Sequence, residues 1–297
     1  MKPRYLSTRS ATFTVALLFV SLCASSLPVV TAREIAARAD SREKDVAVYP
    51  KGFCDEITEG MPGLNDREHL PVRVKQIGKS VLGRPIWAEY WGPTDPSRKG
   101  LETYIIVAQI HGNECSPTLV VDEIRKNPPT AYGVWLIPTL NPDGYANYTR
   151  NNAVGRDLNA DGHSQKQPET AALKALTAAV RPSLTIHMHS PNAFAGRYGG
   201  RTADEVTARM AKAMGVRYGR AGFRFEKVEW FLWQGMEADF QAQSILVELH
   251  AVSPLEVPNA IPRPSTRTID EVRIEIRAML GALVEPDIGC GRARSHC

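Results

Sequence analysis

Tyr104-Ile105-Ile106-Val107-Ala108-Gln109-Ile110 is an uncharged run rich in β-branched residues, and it ends in His111-Gly112-Asn113-Glu114. Such a run reads as a buried strand, and α/β proteins place their chemistry where strands of this kind end. An imidazole and a carboxylate three residues apart can both reach one metal ion as the chain turns. Zinc accepts mixed nitrogen and oxygen ligation, and a catalytic zinc site needs a third protein ligand and an open position for water. His-x-x-Glu alone is usually a surface pair, so the remaining parts must come from elsewhere in the chain.

Downstream segments offer them. Val134-Trp135-Leu136-Ile137-Pro138 reads as a second strand, followed by Asn141-Pro142-Asp143-Gly144, which reads as a turn with Gly available for positive φ. Then comes Thr149-Arg150-Asn151-Asn152-Ala153-Val154-Gly155-Arg156-Asp157-Leu158-Asn159. Leu184-Thr185-Ile186-His187 reads as a strand with an imidazole at its end, and His189 lies two residues on. Both histidines fall on the same face of an extended chain, so periodicity does not choose between them. Ile245-Leu246-Val247-Glu248-Leu249 sets a carboxylate in an apolar strand, which is costly unless that group is paired or functional.

These elements, in this order, resemble the zinc carboxypeptidase family. The resemblance starts at Ser80-Val81-Leu82-Gly83-Arg84-Pro85-Ile86, a hairpin typical of its bacterial members, and runs to Glu248. The Thr-Arg-x-Asn-x-x-Gly-x-Asp-Leu-Asn spacing is closest to murein peptide amidase-type members. The resemblance implies an α/β/α sandwich of three layers around a mixed, mostly parallel sheet. It also implies one zinc ion per chain, with His111 and Glu114 as ligands, and it favours His187 over His189 as the third; His189 is then expected to meet substrate. Asp157 matches a carboxylate that accepts the free ring N–H of the first histidine ligand and fixes its tautomer. Arg150 matches a cation that faces the oxyanion of the tetrahedral intermediate. Glu248 matches the general base that takes a proton from water and returns one to the departing amine. Asn159 matches a residue that binds substrate.

The chain also departs from the family. After Asp-Leu-Asn the family carries an Arg that grips the substrate's terminal carboxylate in a bidentate fork; here Ala160 follows Asn159. The tyrosine that precedes the catalytic glutamate has no counterpart in Trp230-Phe231-Leu232-Trp233-Gln234-Gly235. Glu237 falls near the position that sets side-chain preference, but reads more simply as a solvated helix residue. Arg156, Arg197 and Arg201 are cations that could replace the lost one. Arg197 is the favoured candidate, because it follows the metal strand, whereas Arg156 adjoins Asp157 and would point the other way.

The 297 residues are 43% hydrophobic, enough for one large core. Lys2, Arg4 and Arg9 precede an apolar stretch from Phe13 to Leu27 and a small-residue exit at Val30-Thr31-Ala32, the pattern of a secretory signal cleaved after Ala32. The expected organisation is therefore a signal (1–32), a leader (33–70), a catalytic domain (71–288) and a tail (289–297). Losing the signal removes three basic residues and no acidic one, lowering the formal charge from +4 to +1. That near-neutral balance argues against a nucleic-acid partner, and no stable membrane association is expected once the signal is gone. Export permits disulfides. Cys115 is expected to be a buried free thiol, with Cys54, Cys290 and Cys297 left to pair among themselves. Helices are expected over Pro117–Lys126, Pro168–Val180, Ala203–Met214 and Ile269–Leu283. The implied function is an exported zinc metallopeptidase that hydrolyses an amide bond near the C-terminus of a peptide, with a cell-wall peptide as the candidate substrate. A zinc deacylase of small N-acyl amino acids and an inactive peptide-binding member are the alternatives.

Overall fold

The hairpin around Gly83 forms as its sequence requires: β1 (Arg73–Lys79) and β2 (Pro85–Trp91) pair antiparallel, and Gly83 takes a left-handed φ of 80°. In this computed structural model the described residues are 49–58, 70–95, 100–162, 165–198, 201–220, 243–256 and 265–284. They all belong to the second of two units, Asp45–Cys297. The expected signal, most of the leader, residues 230–235 with Glu237, Cys290, Cys297 and the tail lie outside them.

The remaining elements are α1 (Cys54–Thr58), β3 (Thr103–Val107), α2 (Pro117–Lys126), β4 (Gly133–Ile137), α3 (Pro142–Asn147) and a 3₁₀ turn (Leu158–Asp161). After these come α4 (Pro168–Val180), β5 (Leu184–His189), β6 (Asn192–Tyr198), α5 (Arg201–Met214), β7 (Arg217–Arg220), β8 (Gln243–His250) and α6 (Ile269–Gly281). The strands form one sheet in the order β1-β2-β4-β3-β5-β8-β6-β7. β3 pairs parallel with β4 and β5, β5 with β8, and β6 with β7, while β1–β2, β2–β4 and β6–β8 are antiparallel. The sheet is thus mixed and mostly parallel, as expected.

Period-two alternation along β3 assigns the two faces. Ile105 and Val107 join Ile137, Leu173 and Leu176, so α4 covers one side. Tyr104 and Ile106 join Leu119, Val120, Met210, Ile276 and Met279, so α2, α5 and α6 cover the other. Three layers result, and the central strands are buried on both faces, which explains why they read as continuous apolar runs. Thr268 and Glu271 close a reciprocal capping box at the start of α6.

Two expectations are corrected here. Asn141-Pro142-Asp143-Gly144 is not a turn with a positive-φ glycine but the start of α3: Asn141 is the N-cap, its side chain accepts from Gly144 N, and Pro142 occupies the first turn. Pro lacks the N–H that a first-turn residue would leave unpaired, so it favours a helix start there. Cys115 is not a free thiol, because it is bonded to Cys54 across 61 residues. Closing a loop of that size lowers the entropy of the unfolded chain by an amount worth about 4 kcal/mol. Replacing both cysteines with serine should cost roughly that much in urea denaturation; a loss below about 1 kcal/mol would mean the unfolded chain gains little freedom when the bond is absent.

Candidate active site

β3 stops at Val107, four residues short of the histidine. Beyond it, Ala108 N donates to Ile137 O (2.9 Å), and Gln109 turns the chain with φ 50°. Leu140 N and Asn141 N then donate to Ala108 O and Gln109 O (both 3.1 Å), which binds this turn to the segment leaving β4. The Asn141 side chain donates to Ile110 O and Arg150 O (both 3.3 Å), so one residue fixes the approach to His111 and the backbone at Arg150. Gly112 lies so close to α3 that a Cβ built on it would stand 2.0 Å from the Gly144 carbonyl carbon. The β1–β2 turn secures α3 from the other side: Asp143 accepts from Ser80 Oγ (2.9 Å), Leu82 N (3.0 Å) and Arg84 Nη1 (2.6 Å).

At the end of this scaffold three side chains converge. His111, Glu114 and His189 are 1%, 3% and 1% exposed, and one ligand atom from each lies within 4.8 Å of the other two. His111 Nδ1 is 2.6 Å from Glu114 Oε1, His189 Nδ1 is 3.0 Å from Glu114 Oε2, and the two Nδ1 atoms are 3.2 Å apart. His187 was the preferred third member, but the side chain grouped with His111 and Glu114 is that of His189, which was expected only to meet substrate. The cause is register. His187 pairs with Val107, where β3 is still in the sheet, whereas His189 is two residues past that level and reaches the turn that holds His111. Two residues of strand are about 6.6 Å, enough to set one histidine in the cluster and the other in the core. His187 is fully buried, and neither ring nitrogen has a partner among the described residues. Burial, with His189 close by, pushes its pKa down to about 3, so it stays neutral.

Asp157 sits behind His111, its Oδ1 3.0 Å from Nε2. The same carboxylate accepts from Asn159 N (2.9 Å) and from Arg150 Nε (3.1 Å), while Arg150 Nη1 reaches Glu114 Oε1 at 3.3 Å. Burial opposes charge on Glu114 and Asp157. His111 and His189 around Glu114, and His111 and Arg150 around Asp157, outweigh it and hold both carboxyls well below the usual carboxylate range. Burial alone would lower His111, but Glu114 and Asp157 raise it to about 9.

A carboxylate that accepts at Nε2 leaves Nδ1 of His111 facing Glu114 and His189. Two ring nitrogens and a carboxylate oxygen crowded in this way repel unless a cation, either a proton or a metal ion, sits among them. Two nitrogens and one oxygen suit zinc, and Asp157 supplies the outer carboxylate that metal-binding histidines usually have.

Glu248 pairs in register with His189 on β5 and with Phe194 on β6, placing it beside the cluster in the sheet. It is 8% exposed, and Asn192 N donates to it at 3.4 Å. Burial raises its pKa; His189 opposes that, and the Glu114 charge reinforces it. Asn159, on the 3₁₀ turn, is buried with no partner for Oδ1 among the described residues. Arg197 lies on β6 opposite Ile245, three positions from the Glu248 pair, and its side chain is outside the described set. Arg156 Nη2 donates to Ala160 O at 3.4 Å, which places this candidate cation, the one whose side chain is described, at the altered position.

Residues 57–161 match the zinc carboxypeptidase family. The matched segment contains His111, Glu114, Arg150, Asp157 and Asn159; His189 and Glu248 lie past its end and are brought beside it by the fold. Carboxypeptidase SOL1 of Arabidopsis thaliana is 26% identical over 158 residues, 46% of this chain and 32% of that protein, so the match spans about a third of the relative's length. The murein-tripeptide amidase of Escherichia coli O157 superposes with a TM-score of 0.56 at 19% identity, covering 74% of this chain and 96% of the amidase. A metallo-carboxypeptidase of Burkholderia cenocepacia gives 0.55 at 16%, covering 71% and 63%. Carboxypeptidase A of Helicoverpa armigera gives 0.54 at 18%, covering 71% and 68%. These likenesses establish a shared zinc carboxypeptidase fold.

Sequence reasoning missed the parts that Asn141 and Asp143 play in bracing the turn that carries His111. The Asn-Pro helix start was a usable signal for Asn141.

Proposed function

We propose that this chain is an exported zinc hydrolase that cleaves an amide bond near the C-terminus of a peptide. The observation that supports it most is the convergence of His111, Glu114 and His189 beside Glu248. His111, Glu114 and His189 would hold the zinc ion. When bound, zinc supplies Lewis acidity that polarises a carbonyl and makes water a better nucleophile. Glu248 takes the proton of the attacking water and returns a proton to the departing amine. Arg150, braced on Asp157, presents a cation to the oxygen that gains charge as the carbonyl carbon becomes tetrahedral. Asp157 keeps His111 in the tautomer whose Nδ1 faces the site. Asn159, whose Oδ1 has no partner among the described residues, binds the substrate.

A cell-wall peptide is the substrate we favour. Ala160 removes the family's grip on an ordinary terminal carboxylate, and this chain spans nearly the whole of the murein-tripeptide amidase fold. The test is metal analysis of purified protein alongside a panel of peptides, blocked peptides and cell-wall fragments, with products read by mass spectrometry. The unmodified chain should hold about one zinc. His189→Ala should lose most of it, while His187→Ala, which changes a neutral core side chain, should keep it. The opposite pattern would return His187 to the ligand set. A zinc-loaded protein that cuts nothing in the panel would remove the hydrolase reading.

A further inference from the structure

Glu256 is a fully buried carboxylate whose described partners are N–H and O–H groups from three separate segments. Its Oε2 accepts from Cys115 N (3.0 Å), Ser116 N (3.2 Å) and Ser190 Oγ (2.5 Å). Its Oε1 accepts from Val252 N (2.7 Å) and lies 3.0 Å from Ser116 Oγ, a hydroxyl that also donates to His250 O at 2.7 Å. Cys115 directly follows Glu114, Ser190 directly follows His189, and Val252 stands four residues after Glu248. One side chain therefore touches the continuation of each of the three segments that carry Glu114, His189 and Glu248.

We infer that Glu256 is a positioning residue that sets the spacing of Glu114, His189 and Glu248; the roles of those three rest on the reading given above. The local chain explains how it gets there. Glu256 N donates to Ser253 O (3.1 Å) and Leu255 N to Ser253 Oγ (3.1 Å), a tight turn that returns the chain toward β8. Ser116, the N-cap of α2, makes no side-chain cap of its own, so the N–H groups of Cys115 and Ser116 find their acceptor in Glu256. An ionised carboxylate offers about four lone-pair sites and no donor, which matches this ring of donors. A glutamine cannot: whichever way its amide is turned, an NH₂ faces an N–H or O–H. Each donor left without a partner in a buried site then drives its own segment to shift.

The experiment uses the full chain with Glu256→Gln and, separately, Ser190→Ala, which removes one arm of the ring. Zinc affinity is measured by competition with a chelator, melting is followed in the metal-free form, and backbone amide exchange is mapped with and without zinc. Glu256→Gln is expected to weaken zinc binding about 10- to 100-fold, the size of effect seen when outer partners of metal ligands are lost. Amide exchange should quicken together in 111–116, 187–190 and 248–252. Ser190→Ala should weaken zinc by a smaller factor with melting nearly unchanged. A Gln variant that melts earlier yet binds zinc as tightly as the parent, with faster exchange confined to 252–256, would reduce Glu256 to a loop brace and overturn the inference. Should the Gln variant fail to fold, Ser190→Ala decides alone, and unchanged zinc affinity there overturns it. A parent that binds no zinc sinks the proposed function but not this inference, which the joint exchange response of the three segments then upholds or overturns.

Discussion

Glu248→Gln is expected to keep its zinc and lose at least about two orders of magnitude in kcat. Gln has the size of Glu and keeps a carbonyl oxygen to accept from Asn192 N, so neither packing nor that hydrogen bond is the variable tested. What disappears is the ability to take a proton. Glu248 is suited to that task by position and environment: it is the register partner of His189, and burial keeps its proton affinity above that of an ordinary carboxylate. Steady-state kinetics on any substrate found by mass spectrometry, with metal content measured on the same samples, checks it. A Gln variant that retains metal and turns over near the parent rate would take Glu248 out of the reaction.

The second large effect concerns Ala160. A methyl group cannot grip a carboxylate, and losing one partner of a charge-assisted pair in a partly buried pocket costs on the order of 2–5 kcal/mol. At 1.36 kcal/mol per tenfold, that is roughly 30-fold to several thousand-fold in recognition. The unmodified protein should therefore act poorly on simple blocked dipeptides with a free carboxylate, and amidating their ends should change its kcat/KM little. Ala160→Arg should raise activity on the free-carboxylate form by a factor in that range and leave the amidated form alone. The position tolerates the test, since Ala160 is only half-buried on a 3₁₀ turn beside Asn159. Efficient cleavage of free-carboxylate dipeptides by the parent, lost on amidation, would defeat the prediction and turn attention to Arg156, whose guanidinium already reaches the Ala160 carbonyl.

Much of this arrangement could be read from the chain because strand periodicity and strand-end chemistry are local signals. The run before His111 showed where His111 and Glu114 would come together, and the acidic residue inside the apolar run at Glu248 marked a carboxylate set in the sheet beside them. The choice between His187 and His189 was different in kind. The two share a face, and only the level at which β3 leaves the sheet separates them, a fact set by pairing between distant segments. The Cys54–Cys115 bond and the ring around Glu256 were hidden for the same reason, since their partners are brought together by the sheet. β6 and β7 each contain a glycine, which weakens a local strand signal, so pairing with a neighbour decides their state. The Asn141-Pro142 start, in contrast, was present in the sequence and misread, because Pro followed by Gly suits a turn as well as a first helical turn.

The contact between Gly112 and Gly144 bears on how this scaffold could be re-engineered. A methyl at Gly112 would have no room unless the turn that carries His111 and α3 moved apart, and one at Gly144 would strike the Asn141 side chain and the Thr149 carbonyl oxygen. The cost would then spread through Asn141 to Ile110 and Arg150 and through Asp143 to the first hairpin. A library that varies these motifs would mostly sample broken sites. Diversity placed on the half-buried Arg156 and Ala160 would leave that joint untouched.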